Sequence, residues 1–352
     1  MTTTRVLQVD PRSPEAAPIR AAAEVLRAGG LVAFPTETVY GLGANALDAG
    51  AVRGIFRAKE RPAYDPLIVH LAEAAALERV ARDVPPVAFE LAERFWPGPL
   101  TLVLPRGPEV PSVVTAGGET VAVRVPSHPV ARALICAAGV PVAAPSANRF
   151  GHLSPTRARD VLDDLEGRID LLLDAGPTPV GVESTVLSLL TSVPTILRPG
   201  GVEREALEAL LGEVELRAES VEPAEETVPS PGTLAQHYAP RADLVLYRGA
   251  RLPMLAALRR DALQLQGAGR RVGLLLASED LIFFGGLPLV RRAAGSQKDL
   301  ETVARRLYKT LRALDEEGVE TILARDFGSA GLGLAIRDRL TRAAGGHVVE
   351  VT

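Results

Sequence analysis

Apolar positions recur along this chain with two periods. Ile19, Ala22, Ala23 and Leu26 fall at i, i+3, i+4 and i+7, one face of a helix that Gly29 and Gly30 then stop. A hydrophobic strand of Leu31, Val32, Ala33 and Phe34 follows and ends at Pro35. The apolar runs predict further strands at Leu67–Leu71, Leu100–Leu104, Val121–Val125, Pro141–Ala144, Ile169–Asp174 and Thr185–Leu190. Strands alternating with helices make this an α/β unit. Between Gly212 and Pro231 the pattern lapses into glutamate and proline, the composition of a linker. Beyond it, Ala242–Tyr247, Arg271–Ala277 and Thr321–Ala324 are strand-like and are separated by helical stretches at Pro253–Leu265 and Leu300–Leu314, which suggests a small doubly wound sheet.

Composition narrows this picture. At 352 residues two domains are expected, and 47% hydrophobic against 23% charged residues suffices for a sizeable core. The formal charge of −4 argues against a general polyanion-binding surface and leaves room for a local basic cleft. The single cysteine, Cys136, cannot form an internal disulfide and lies in the apolar run LICAAGV, where a core thiol is expected rather than a nucleophile. No N-terminal stretch has the order of a signal peptide and no apolar run reaches the roughly 18 residues that span a bilayer, so a cytoplasmic protein with no membrane partner is expected. There is no GxxxxGK[ST] motif, and the glycine pairs Gly41/Gly43 and Gly331/Gly333 do not extend to a dinucleotide fingerprint. The five histidines, His70, His128, His152, His237 and His347, are scattered without cysteine neighbours, so no resident metal site is expected.

Chemistry concentrates at strand ends. FPTETVYGLGANA, residues 34–46, is read as an exposed polar segment carrying two threonine hydroxyls, a carboxylate, a phenol and glycines. Lys59 and Arg61 then precede the strand that ends in His70, and cations beside a glycine-bearing strand end suit an anionic ligand, most often phosphate. Taken singly, the first segment could be an ordinary glycine turn, and the cations a solvated helix end offsetting the macrodipole. PVAAPSANRFGHLSPT (141–156), GVESTV (181–186) and LRPGG (197–201) repeat the arrangement, and four polar strand ends imply a shared cleft.

The blocks PTETVYGLG, KERP with DPLIVHL, WPGPLTLVL, TVAVRVPSHP, APSAN, SPT, GVESTV and RPGG resemble the YrdC-like superfamily. SPGTLAQHYAP and GLGLAIRDRLTRAA resemble its longer branch, the threonylcarbamoyl-AMP synthases of the Sua type. The resemblance implies a YrdC-like twisted mixed sheet with flanking helices over residues 1–211, a linker and active-site lid over 212–240, and a smaller C-terminal Rossmann-like α/β domain over 241–352. It implies a nucleotidyltransferase: L-threonine, bicarbonate and ATP, with Mg2+ accompanying the ATP, become threonylcarbamoyl-AMP and pyrophosphate, and a downstream tRNA threonylcarbamoyl transferase uses the product to modify the adenosine next to the anticodon. Such phosphoryl chemistry rests on positioning and on cations that neutralise developing charge.

Carried over by position, the threonine-binding residues are Thr38, His70, Arg124, Ala144 and Ser184, with Arg124 clamping the substrate carboxylate. The competing expectation for Arg124 is an internal ion pair with a glutamate such as Glu37 or Glu183, and for His70 a satisfied core histidine. The ATP-binding residues are Lys59, Arg61, Asp65, Thr120, Ser146, Asn148, Ser154, Arg198 and Tyr238, with Lys59 and Arg61 catalytic through the triphosphate. Asp65 departs from the asparagine frequent in the family, and a carboxylate beside phosphate is repulsive unless it meets ribose, magnesium or Arg61. Residues 230–240 are expected to close over the ligands as a lid that brings Tyr238 to the nucleotide. The alternative is an RNA-binding module gripping phosphodiesters with Lys59, Arg61, Arg124, Arg149 and Arg198, against which stand the acidic balance and an aromatic content of 4%. Direct tRNA binding stays open, as does another carbamoyl transfer on the same fold.

Overall fold

The computed structural model describes residues 3–217 and 238–352, which fall into two compact units: 3–150 with 154–217, and 151–153 with 238–352. In the first, eleven strands form one mixed sheet: β1 (Arg5–Gln8), β2 (Val32–Pro35), β3 (Tyr40–Asn45), β4 (Ile68–His70), β5 (Leu100–Pro105), β6 (Thr120–Arg124), β7 (Val142–Ala143), β8 (Leu171–Asp174), β9 (Thr185–Ser188), β10 (Thr195–Arg198) and β11 (Glu215–Leu216). Their order is β1-β8-β2-β3-β7-β4-β6-β5-β9-β10-β11. Among the helices of this unit are α1 (Ala16–Arg27), α2 (Ala49–Lys59), α3 (Pro86–Phe95), α4 (Pro129–Ala138), α5 (Ala158–Leu165) and α6 (Arg204–Leu211). α1 buries Ile19, Ala22, Ala23 and Leu26, the face read from the sequence, in a core shared with Val130, Leu134 and Ile135 of α4 and with Phe34 and Leu171 of the sheet. α2 packs Val52, Ile55 and Phe56 into a larger core with Leu42, Val69, Leu102 and Val123. Elements distant in sequence thus share two cores, and the strand ends between them are fixed.

The expected strands form, with corrections. Cys136, expected in the core, is exposed on α4. The glycine-bearing segment after Phe34 is not an exposed binding loop: every residue from Val32 to Ala44 is buried, and Tyr40–Asn45 is a strand paired antiparallel to β2. Cross-strand packing is the reason. A Cβ on Gly43 would lie 2.7 Å from Cε1 of Phe34 and 2.8 Å from Cγ1 of Val142, so glycine here makes room for the aromatic ring. Also, the first part of the expected linker is ordered into the sheet. Val214 is buried, and β11 pairs parallel to β10 through the bond from Glu215 N–H to the Pro194 carbonyl.

The second unit is a five-stranded, all-parallel sheet of β12 (Asp243–Gly249), β13 (Val272–Ala277), β14 (Val290–Gly295), β15 (Thr321–Arg325) and β16 (Val348–Val351), in the order β14-β13-β15-β12-β16. The helices α7 (Arg251–Gly267), α8 (Leu300–Glu316) and α9 (Leu332–Ala343) make its crossovers, which is the expected Rossmann-like layering. Its interior strand β13 is a near-continuous apolar run with all six residues buried, whereas the edge strands β14 and β16 are only partly buried. No helix among the described residues is long and apolar enough to cross a membrane.

Candidate active site

Backbone hydrogen bonds tie the polar strand ends together. The turn between β2 and β3 is held by the 180–181 segment, whose Val180 and Gly181 N–H groups donate to the carbonyls of Glu37 and Thr38 at 2.9 and 3.1 Å. The 144–148 loop runs along β3 through Leu42 N–H to Pro145 O and Ala147 N–H to Tyr40 O, both 2.8 Å. Segment 183–185 meets the turn after β10, where Gly201 N–H donates to Glu183 O at 3.0 Å. Gly200 is obligatory in that approach: a Cβ there would sit 2.3–2.4 Å from backbone atoms of Glu183, Ser184 and Thr185, and backbone cannot rotate away as a side chain can.

Register then places side chains. His70 and Arg124 are partners at the ends of the parallel strands β4 and β6. Arg124 donates from Nη1 to Thr38 Oγ1 at 3.1 Å, and its Nη2 lies 2.7 Å from Glu37 Oε1. The glutamate pairing weighed for Arg124 is therefore present, alongside a contact to Thr38. His70 is buried, with Nδ1 3.2 Å from the Ile68 carbonyl and its ring edge-on to Phe34. Burial, reinforced by the Arg124 charge, lowers its pKa to about 3, so the imidazole is neutral at physiological pH. Ala144 N–H donates to Ile68 O at 2.9 Å, which brings the 144–148 loop to the same strand.

Lys59 is the last residue of α2, which ends at Glu60 in a left-handed conformation with φ 55°. A solvated helix end would leave Lys59 exposed, yet it is 1% exposed, with Nζ donating to Ser146 O at 2.5 Å and to Asn148 O. Burial, and after it the Arg61 charge, holds its pKa well below that of a free lysine. Arg61 donates from Nε and Nη2 to the carbonyls of Asp65 and Pro66 at 3.1 and 2.8 Å, and Nη2 pairs with Asp65 Oδ1 at 2.8 Å. Burial raises the Asp65 pKa, against the pull of Arg61, Lys59 and Arg198. Asp65 thus meets Arg61, the partner that relieves the repulsion expected of it. Arg198 Nη2 donates to Ser184 O and Oγ at 3.1 and 3.3 Å, Ser184 Oγ shares a 2.8 Å bond with Thr101 Oγ1, and Ser154 Oγ donates to Glu183 Oε1 at 2.5 Å.

Most of the named residues therefore join one of three linked groups: Arg124 with Thr38, His70 and Ala144; Lys59 with Arg61, Asp65, Ser146 and Asn148; and Arg198 with Ser184, beside Ser154. Thr120 opens β6, at the opposite end of the strand from Arg124 and two residues before Ala122, the partner of Ile68. Tyr238 belongs to the second unit, where its buried ring faces Tyr308 at 5.9 Å and lies under the Arg339 guanidinium at 5.0 Å. The rest of the expected lid up to residue 237 lies outside the described residues. Sequence reasoning assigned no role to Thr36 or Thr101 and weighed Glu37 and Glu183 only as ion-pair partners of Arg124; of these, Glu37 is the one that pairs with it.

Fold and site together define an α/β protein of the YrdC-like class, with buried cations gathered where several strand ends meet. The family model described as telomere recombination, that of Sua5, YciO and YrdC, matches residues 24–200, and the one described as the threonylcarbamoyl-AMP synthase C-terminal domain matches residues 202–345. The threonylcarbamoyl-AMP synthase of Pyrococcus abyssi is 44% identical over 95% of this chain and 96% of its own length, and that of Bacillus subtilis 46% identical over 94% of each. The crystal structure of P. abyssi Sua5 complexed with L-threonine superposes with a TM-score of 0.93 at 43% identity, covering 99% of this chain and 100% of that one. The chain belongs to the threonylcarbamoyl-AMP synthase family, in its two-domain Sua5 form, and is an enzyme of nucleotidyltransferase type.

Proposed function

We propose that this chain makes threonylcarbamoyl-AMP and pyrophosphate from L-threonine, bicarbonate and ATP, for the threonylcarbamoyl modification of tRNA. The observation that carries the reading is the separation of two kinds of charge in one connected set of strand ends. One corner holds a single guanidinium, Arg124, beside short polar side chains; the other gathers Lys59, Arg61 and Arg198 around Asp65. An amino-acid carboxylate suits the first and a triphosphate the second. In this reading Thr38, His70, Arg124, Ala144 and Ser184 hold threonine, with neutral His70 serving as a shaped polar wall rather than a charge. Lys59, Arg61, Asp65, Thr120, Ser146, Asn148, Ser154 and Arg198 hold the nucleotide, and the family match assigns Tyr238 to it as well.

The amine and bicarbonate give a carbamate and water. A carbamate oxygen attacks the α-phosphorus, the bond from the α-phosphorus to the α,β-bridging oxygen breaks, and pyrophosphate leaves with its charge neutralised by Lys59 and Arg61. The magnesium of this reading is the one ATP carries. We place the catalytic function in the first unit, which runs through β11 to residue 217 rather than ending at 211, and the linker and lid in the chain that follows it, with the reaction in the cytoplasm and a downstream tRNA threonylcarbamoyl transferase receiving the product. The RNA-binding alternative is not favoured: of its five cations only Arg149 is more than one-tenth exposed, and that one is engaged by Glu60. Pyrophosphate release from ATP that requires both L-threonine and bicarbonate tests the proposal; release that ignores either one refutes it.

A further inference from the structure

The cations of the site have tasks in this reading, and one buried anion does not. Glu37 projects from the turn between β2 and β3 with its side chain 6% exposed, and its backbone is fixed by the bond from Val180 N–H. Oε2 accepts the Ser127 N–H at 3.1 Å. Oε1 lies 2.7 Å from Arg124 Nη2, yet it makes no aligned hydrogen bond, nor do Nη2 and Nε of Arg124. A buried ion pair retained for stability alone should satisfy its remaining lone pairs and protons, because the desolvation of both charges is otherwise uncompensated. Here three polar atoms of two facing, buried, oppositely charged groups keep unused capacity.

We propose that Glu37 and Arg124 are the two halves of a zwitterion receptor, in which Arg124 takes the α-carboxylate of the amino-acid substrate and Glu37 its α-ammonium. The inference rests on the reading that an amino acid binds at Arg124. A free amino acid carries its two opposite charges on neighbouring carbons, and moving it from water into a buried site is costly at each end that lacks a partner. Arg124 alone answers one end. The opposite charge is already in contact with Arg124, so a molecule bearing both signs can insert between the two and leave neither of them unpaired. Of the other buried carboxylates, Glu183 Oε1 accepts the Ser154 hydroxyl; Asp65 also lacks aligned hydrogen bonds but faces Arg61, not Arg124. Thr36 and Thr38 flank Glu37 and bond each other through their hydroxyls at 2.8 Å, which fixes the turn that aims the carboxylate.

The test compares L-threonine with (R)-3-hydroxybutanoate, which is threonine without its amino group, on the full chain and its Glu37→Gln variant, by calorimetry for the first ligand and ligand-observed NMR for the second. The expected result is that Glu37→Gln weakens L-threonine about 10- to 100-fold, the scale of one charged hydrogen bond, while the deaminated acid binds as well as before or better. Equal losses for both ligands would make Glu37 only a support for Arg124 and overturn the proposal, as would undiminished threonine binding. Should Glu37→Gln fail to fold, Glu37→Asp keeps the charge but draws it back by one methylene, and the same selective loss is expected. A folded wild-type chain that bound neither ligand would refute the threonine reading itself, a result distinct from either of the others.

Discussion

His70 gives the sharpest quantitative expectation. It lies 3% exposed between β6 and β7, against the edge of the Phe34 ring, with Arg124 at the paired position on β6. Protonating it would bury a second cation beside the first. Its folded pKa is about 3 against 6.5 in a free chain, so the unfolded state takes up the proton first as pH falls. The stability it contributes is therefore complete above about pH 6.5 and is lost progressively as pH falls toward 3. At 1.36 kcal/mol per unit, with the unfolded imidazole almost fully protonated and the folded one almost fully neutral, pH 5 costs about 2 kcal/mol relative to pH 7.5. Because the chain has two compact units, the free energy of opening should be read locally, from hydrogen exchange of amides in β4 and β6. His70→Asn should flatten the pH dependence of those amides by about that amount. A ring titration by NMR provides the direct check. A His70 midpoint above pH 5, or a variant with the wild-type pH dependence, would sink the reasoning.

Arg124→Ala should weaken L-threonine binding by about 1.5–3 kcal/mol with ATP affinity nearly unchanged, measured by calorimetry; because it strands buried Glu37, it should also destabilise the unit by about 3–5 kcal/mol. Equal losses for both ligands would assign Arg124 to the fold alone. Lys59→Ala and Arg61→Ala should each lower turnover more than threonine affinity, since cations aimed at developing charge act mostly in the transition state, and a variant with full turnover removes that residue from the chemical step. Gly43→Ala should cost about 1–3 kcal/mol by displacing Phe34, whereas Gly200→Ala, blocked by backbone, should cost more and disturb Ser184; denaturation midpoints in that reversed order would contradict the packing argument.

How far the sequence carried this result depends on where each element finds its partners. α1, β2 and β13 bury apolar faces that their own residues announce. β1 alternates without a clear apolar side and pairs with β8, so Arg5 meets Leu171 across most of the unit. No local pattern signals such an edge strand. β3 was missed for another reason: Gly41 and Gly43 read as loop residues, and only the Phe34 ring packed above Gly43 explains why a strand wants them. The site divides in the same way. Lys59, Arg61 and Arg198 stand out as cations in short motifs, but their burial does not, because it comes from carbonyls and strand ends supplied by distant segments. Thr120 was grouped with the phosphate residues by motif alone.

Burial changes what those cations can do. A solvated lysine at a helix end is screened within about 8–10 Å and contributes little to holding a phosphate. Lys59 held by two carbonyls, with Arg61 anchored on its own loop, keeps a fixed direction and acts through a medium that screens poorly. Such a group needs no reorganisation when charge develops in front of it, which is the condition for stabilising a transition state rather than a ground state. Asp65 tempers the cost of gathering three cations without cancelling their sum. The corner around Arg124 is built the other way, one cation against one anion. In the proposed reading this difference suits the two ligands: a zwitterion of no net charge at Arg124 and a triphosphate among Lys59, Arg61 and Arg198.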